Sequence, residues 1–110
     1  MDQALIVFVN VPDEPTAHSM ARALVEARLA ACVNVLPEVR SVYRWQGKLE
    51  EASEVTILIK TTQARYADLQ TAVKAAHPYD VPELIALPIV AGLPEYLGWV
   101  AMETKKEVDV

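Results

Sequence analysis

The sequence predicts an α+β domain of the ferredoxin-like, split βαβ type, with the order β-α-β-β-α-β and a short C-terminal helix. Segments rich in β-branched residues alternate with segments whose apolar residues recur at helical spacing. The second and third β segments are separated only by a short turn that contains glycine. The 110 residues are about one domain's worth of chain, so we expect residues 1–110 to form a single domain.

The first strand is predicted at Ala4–Val11, a nearly continuous apolar run. Its length and β-branched content favour a strand buried on both faces over a helix. Pro12 ends this run, and Asp13 is placed to cap the helix that follows. The helical spacing of apolar residues then continues to about Ala30.

A long β hairpin is predicted next. Its first strand, Cys32–Trp45, contains Pro37, where we expect a bulge or an edge position. The turn uses Gly47, and the second strand alternates apolar and polar residues from Val55 to Lys60. Fourteen extended residues span roughly 46 Å at ~3.3 Å each. Because a globule of this length is roughly 34 Å across, the hairpin must bend or project beyond its own sheet.

A second helix, a fourth strand and a third helix complete the chain. The second helix ends at His77, because the residue before Pro78 is pushed out of helical geometry. The fourth strand is predicted over residues 81–90, and a short amphipathic helix follows Gly92. The apolar stripe of the second helix consists of Tyr66, Leu69, Val73 and Ala76.

The length of the hairpin also predicts an oligomer. A projecting hairpin would leave Val42, Tyr43 and Trp45 and the unpaired strand edges in water. Pairing with a neighbouring subunit covers both, and a second subunit can also cover the sheet face that two helices leave open. The alternative is a bent hairpin packed on its own domain, with one sheet face in solvent.

Composition excludes several functions. The chain has 15 acidic and 10 basic residues and a net charge of −5, which argues against nucleic-acid and anionic-membrane partners. Three glycines cannot form a Walker loop or a dinucleotide-binding turn, and Cys32 alone cannot form an internal disulfide. No apolar run approaches the ~20 residues of a membrane-spanning helix. We expect a cytoplasmic location.

The residues best suited to bind a metal or a ligand lie near the end of the second helix and on the hairpin. His77, Asp80 and Glu83 could ligate a transition metal, with Tyr79 beside them. The alternative is a histidine that contacts the last carbonyls of its own helix, with Glu83 in solvent. Tyr43 and Trp45 could line a ligand cleft, or could belong to an interface or core.

Lys60, at the end of an apolar strand segment, could hold an anionic group or extend into solvent. Lys60, His77 and Glu83 offer acid–base groups, but no combination of nucleophile, base and orienting group is visible. We therefore do not expect an enzyme.

Four blocks in order resemble the CutA divalent-cation-tolerance family, and the similarity extends over essentially the whole chain. The blocks are Ala30-Ala31-Cys32-Val33-Asn34, Tyr43-Arg44-Trp45-Gln46-Gly47-Lys48-Leu49-Glu50, Ile59-Lys60-Thr61-Thr62 and His77-Pro78-Tyr79-Asp80-Val81-Pro82-Glu83. Their combination in this order is specific to the family, whereas any single block is not.

The resemblance implies a tight homotrimer in which the long hairpin strands pair between subunits. It also implies a role in tolerance of, or response to, divalent metals, with copper or another divalent cation bound weakly at the subunit interface. Copper-binding members use a cysteine in the first strand and a His-His pair; here those positions are Val9 or Asn10 and Ala76-His77, so only His77 carries over.

The predicted metal ligands are His77, which the resemblance carries over, and Glu83, which the local cluster of residues adds. Around them, Lys60 and Tyr79 would bind a ligand together with the aromatic hairpin residues Tyr43 and Trp45 of a neighbouring subunit. The alternative function is a small-molecule sensor or adaptor, similar in architecture to the trimeric P-II signalling proteins and without a metal function of its own.

Overall fold

The computed structural model describes residues 2–106 and confirms the predicted order of elements. The four strands form one antiparallel sheet in the order β2-β3-β1-β4, so the α+β, ferredoxin-like fold class is confirmed. The elements are β1 (Ala4–Val11), α1 (Glu14–Glu26), β2 (Cys32–Trp45), β3 (Lys48–Thr62), α2 (Gln63–Ala76), β4 (Leu84–Pro88) and α3 (Pro94–Glu103).

The hydrophobic core lies between one face of the sheet and helices α1 and α2. Alternate residues of the two central strands, such as Val9 and Ile57, are cross-strand partners and have no exposed surface. Leu69 and Val73 of α2 and Leu24 of α1 belong to the same cluster. The period of two in the strands and the helical spacing in α1 and α2 therefore produce a single core.

Helix α3 packs against the opposite face of the sheet, on strands β1 and β3. The Tyr96 side chain lies near Cys32, which pairs with Lys60 on this second face. The expectation that this face has no helix to cover it is therefore wrong in part. Beyond α3 the face still exposes large apolar side chains, including Ile85 and Leu87, which are about half exposed.

The hairpin projects, as its length predicts. Strand β1 pairs with residues 55–62 of β3, so the part of the hairpin beyond Val55 consists of two strands only. The chain measures 49 Å along its longest axis, and its radius of gyration of 14.8 Å exceeds the ~13 Å expected at this length. The turn at Gln46 and Gly47 has φ of 49° and 78°, the left-handed geometry that suits a two-residue hairpin loop.

Two element boundaries differ from those predicted. Helix α1 ends at Glu26 rather than near Ala30, because Arg28 adopts a left-handed φ of 59° that no helix continues through. Strand β4 is Leu84–Pro88 rather than residues 81–90. Pro82 has no N–H to donate. In addition, the His77 side chain is hydrogen-bonded to the Asn10 carbonyl at the point where the ladder between β1 and β4 would extend.

The local signals at the helix ends are mostly confirmed. Asp13 caps α1 by accepting a hydrogen bond from the Thr16 amide at 2.8 Å, and His77 is the residue after α2 with extended backbone. Thr62 precedes α2 without a side-chain capping bond.

None of the helices within residues 2–106 is long and apolar enough to cross a membrane.

Candidate functional site: a cleft beside the hairpin

An open cleft of about 510 Å³ lies between the projecting hairpin and the segment that joins α2 to β4. Its size falls within the range of small-molecule sites. Four of the predicted site residues line it: Tyr43, Trp45, Tyr79 and Glu83. The other lining residues are Asn10, Ser41, Val42, Glu54, Asp80 and Val81.

A β-bulge decides which side chains face the cleft. Before it, Leu36 pairs with Thr56; after it, Val39 pairs with Glu54, so β2 advances three residues while β3 advances two. The extra residue moves the odd-numbered residues of β2 to the face that the even-numbered ones occupied. Tyr43 and Trp45 therefore share a face with Glu54. The bulge contains Pro37, as the sequence predicts.

His77 lies behind the cleft rather than in its wall. It is 8% exposed; its Nε2 is 2.7 Å from the Asn10 carbonyl oxygen, and its Nδ1 is 3.1 Å from the Tyr79 backbone nitrogen. Because a backbone N–H can only donate, Nδ1 accepts that bond, and Nε2 carries the proton that it donates to the carbonyl. Both ring nitrogens are thus engaged in this conformation. The imidazole joins the segment after α2 to the end of β1, not to the last carbonyls of its own helix.

The side chain of Tyr79 connects the segment after α2 to the hairpin. Its hydroxyl donates a hydrogen bond to Glu54 Oε2 at 3.1 Å, and its ring stacks at a tilt against the ring of His77, 4.8 Å between centroids. Burial raises the pKa of Tyr79 to about 12, and the negative charge of Glu54 adds to the effect. The hydroxyl therefore stays protonated and remains a donor to the carboxylate at neutral pH.

Asn10 connects the floor of the cleft to Glu83. The Thr56 hydroxyl donates to Asn10 Oδ1 at 2.6 Å, and Asn10 Nδ2 donates to Glu83 Oε1 at 3.3 Å. Sequence reasoning did not select Asn10 as a cleft residue, although an isolated amide in the apolar run of β1 is a usable signal. Glu54 was missed because nothing local distinguishes it from the neighbouring glutamates.

Lys60 lies away from the cleft. It pairs with Cys32 on the second sheet face, its amine donates a hydrogen bond to Asn34 Oδ1, and β3 continues past it to Thr62. The structure therefore brings Tyr43, Trp45, Tyr79 and Glu83 together with two further carboxylates, places His77 behind them, and leaves Lys60 outside.

The donor set of one chain does not fit a closed metal site. Within residues 2–106, no group of three or more histidine, cysteine, aspartate or glutamate side chains is arranged to hold a metal ion. The carboxylates of Glu54, Asp80 and Glu83 suit hard cations chemically. They line one cleft without converging on a single point.

Comparison with known proteins gives a consistent result. The sequence model of the CutA1 divalent ion tolerance protein family matches residues 5–103. The divalent-cation tolerance protein CutA of Thermus thermophilus is 50% identical over 99 residues, covering 90% of this chain and 96% of that protein. A solved structure of the divalent cation tolerance protein CutA1 from Thermus thermophilus superposes with a TM-score of 0.91 at 49% identity, covering 93% of this chain and 99% of the other.

The similarity extends to animals. Protein CutA of Mus musculus is 50% identical over 98 residues, which are 89% of this chain but 55% of the mouse protein. The chain therefore spans about half the length of that relative and nearly all of the Thermus one.

Proposed function

The chain belongs to the CutA1 divalent ion tolerance family, and from this premise we propose that it acts in divalent-cation tolerance or metal response by binding rather than by catalysis. The observation that carries the proposal is the cleft, where Glu54, Asp80 and Glu83 present carboxyl groups to one open volume. Carboxylate oxygens attract cations. The cytoplasmic location expected from the sequence belongs to the same proposal.

The assembly we propose is a homotrimer in which the hairpin strands pair between subunits. Its support is the outer part of the hairpin, which has two strands and free edges. Val42 and Leu49 are 60% and 70% exposed there, and Tyr43 and Trp45 are nearly half exposed. A projecting two-stranded ribbon with such side chains is unfavourable in water and favours pairing with a further strand.

The proposed metal site is weak and lies at the subunit junction. Glu83 supplies a carboxylate from this chain, and a second chain completes the donor set for copper or another divalent cation. His77 can join only by giving up its bond to the Asn10 carbonyl or to the Tyr79 amide. That exchange lowers the net affinity, which is consistent with a weak site.

A second candidate is a small-molecule sensor or adaptor trimer, similar to the P-II proteins. The size of the cleft and its aromatic side chains favour this reading, since a volume of about 510 Å³ far exceeds that of a single ion. Both candidates place binding in the same cleft and differ in the ligand.

The test is sedimentation equilibrium with and without excess EDTA, followed by calorimetric titration with copper and zinc. We expect a metal-independent trimer whose copper binding weakens in Glu83→Gln. The matched control is Glu51→Gln, an exposed glutamate at a β3 register position on the opposite face from Glu54, which leaves binding unchanged. A trimer that binds neither metal moves the assignment to the sensor, and a monomer refutes the assembly.

A further inference from the structure

A second groove lies on the core side of the sheet, between α1 and the inner half of β2. Its volume is about 400 Å³, and Ala21 and Val25 of α1 line it together with Val33 and Val35 of β2. Val25 is 43% exposed although its helix packs against the sheet. The other lining residues are His18, Arg22 and Glu26. The groove is an apolar strip with polar residues beside it, and it shares no residue with the cleft beside the hairpin.

This groove borders an unpaired strand edge. Strand β2 is the outer strand of the sheet, and within residues 2–106 it pairs with β3 alone. The backbone N–H and C=O groups on its other side therefore point away from the sheet, next to the groove. An extended segment can add to such an edge, because main-chain hydrogen bonds supply affinity while alternate side chains fill the groove.

The chain leaves the described structure close to this groove. Arg28, two residues after the end of α1, forms an ion pair with Glu103, the last residue of α3, at 3.8 Å. Beyond that point residues 105–110 can extend roughly 20 Å at ~3.3 Å each. The outermost lining residues of α1, His18 and Glu26, are roughly 12 Å apart along the helix. The segment is therefore long enough to follow the whole groove.

The sequence of this segment matches the two sides of the edge. It reads Lys-Lys-Glu-Val-Asp-Val, so acidic and apolar residues alternate from Glu107 onward. In an extended strand the two valines share one face, and Glu107 and Asp109 share the other. The valines match the apolar groove. The acidic residues match the second sheet face, where the Lys60 amine donates a hydrogen bond to Asn34 of β2.

From the unpaired edge, the groove and this alternation together, we propose that residues 107–110 add to the sheet of their own chain as a further strand beside β2. The segment enters next to Arg28 and runs parallel to β2, so that its valines cover Val25 and Val33 and its acidic residues face Lys60. Because it is tethered to the same chain, its effective concentration is high and a short contact suffices. The inference is independent of the proposed function and involves neither the cleft nor a metal ion.

The experiment is amide hydrogen exchange, measured by nuclear magnetic resonance in EDTA, on the full chain and on a chain that stops after Lys106. The reporters are the amides of residues 32–36 that point away from β3. We expect them to exchange about tenfold faster in the shorter chain, because each loses a hydrogen bond. The amides of β1, inside the sheet, should exchange equally in both chains and show that the fold is intact.

A pair of substitutions in the full chain tests the groove itself. Val25→Asp places a charge in the groove and should accelerate exchange of the same amides about tenfold. The matched control is Ala23→Asp, an exposed position of α1 that does not line the groove, and it should change nothing.

Equal exchange of the reporter amides in the full and shortened chains overturns the proposal and needs no substituted variant to fold. Fast exchange in both means an open edge, and slow exchange in both means that another surface covers it. If unlabelled full chains restore slow exchange in isotope-labelled shortened chains, the segment adds to a second copy and the assignment to its own chain is wrong. Acceleration in the shortened chain but not in Val25→Asp overturns the placement of the valines in the groove.

Discussion

Replacing His77 by alanine should destabilise the fold whether or not metal is present. The substitution removes both bonds of the imidazole and leaves the Asn10 carbonyl and the Tyr79 amide without their partner. Each bond contributes roughly 1 kcal/mol, and loss of the buried ring and its contact with Tyr79 adds roughly 1–2 kcal/mol. We therefore expect the free energy of unfolding to fall by about 3–4 kcal/mol.

Two further variants separate the bonds of His77. His77→Asn places an amide oxygen near the position of Nδ1, where it can accept from the Tyr79 amide. His77→Gln can place an amide N–H near the position of Nε2, where it can donate to the Asn10 carbonyl. Each should recover about 1 kcal/mol relative to alanine. The control is His18→Ala, an exposed histidine of α1, for which we expect a change within about 0.5 kcal/mol.

The assay is urea unfolding followed by far-ultraviolet circular dichroism in EDTA. Protein concentration is held fixed, since assembly makes apparent stability depend on it. If His77→Ala unfolds at the same urea concentration as His18→Ala, the anchoring role of the imidazole is refuted. If EDTA alone lowers wild-type stability to the level of His77→Ala, the ring acts through a metal and its two hydrogen bonds do not account for the stabilisation.

Three other expectations concern stability. The folded state holds the Tyr79 proton more tightly than the unfolded chain, with a pKa of about 12 against 10, so this contribution is complete below pH 10 and is lost as the pH rises through 12. Because 38% of the residue is exposed, solvent screening reduces this stabilisation to about 1 kcal/mol. Tyr79→Phe should remove this part of the loss of unfolding free energy at alkaline pH, measured by urea unfolding. An unchanged pH dependence would contradict the raised pKa of Tyr79. Gly47→Ala should cost about 1 kcal/mol because φ is 78°, whereas Gln46→Asn should raise the melting temperature slightly; thermal melts compare the two, and a neutral alanine would argue against the turn geometry. Leu69→Ala should cost about 2–5 kcal/mol, since the side chain is fully buried, and a smaller loss would indicate that the core between α2 and the sheet collapses around it.

The fold could be predicted from the sequence because its signals are local. The apolar run of β1, the alternation in the hairpin, the capping Asp13 and the helix end before Pro78 each depend on neighbours within a few residues. The partner of His77 does not: the Asn10 carbonyl lies 67 positions away, and no periodicity indicates it. A histidine at a helix end was therefore placed correctly in the chain but assigned a different chemical role.

The same limit applies to the cleft. Pro37 indicates an irregularity in β2, but not that one additional residue is accommodated there, and only that count determines the faces of the later residues. Tyr43 and Trp45 were selected because aromatic residues at a period of two share a face in any register. To select Glu54, one needs to know the register between β2 and β3. Lys60 was selected as the end of an apolar run, whereas the strand continues and its side chain lies on the second sheet face.

The bulge at Pro37 also determines how the length of the hairpin can change in evolution or design. Because side chains alternate, removing the one extra residue would move Tyr43 and Trp45 to the face away from the cleft. The residues of β2 before the bulge would keep their orientation. Matched insertions or deletions of two residues in each strand, outside Val39 and Glu54, preserve the orientation of the remainder. The outer hairpin can thus become longer or shorter by an even number of residues per strand, provided that the bulge is retained.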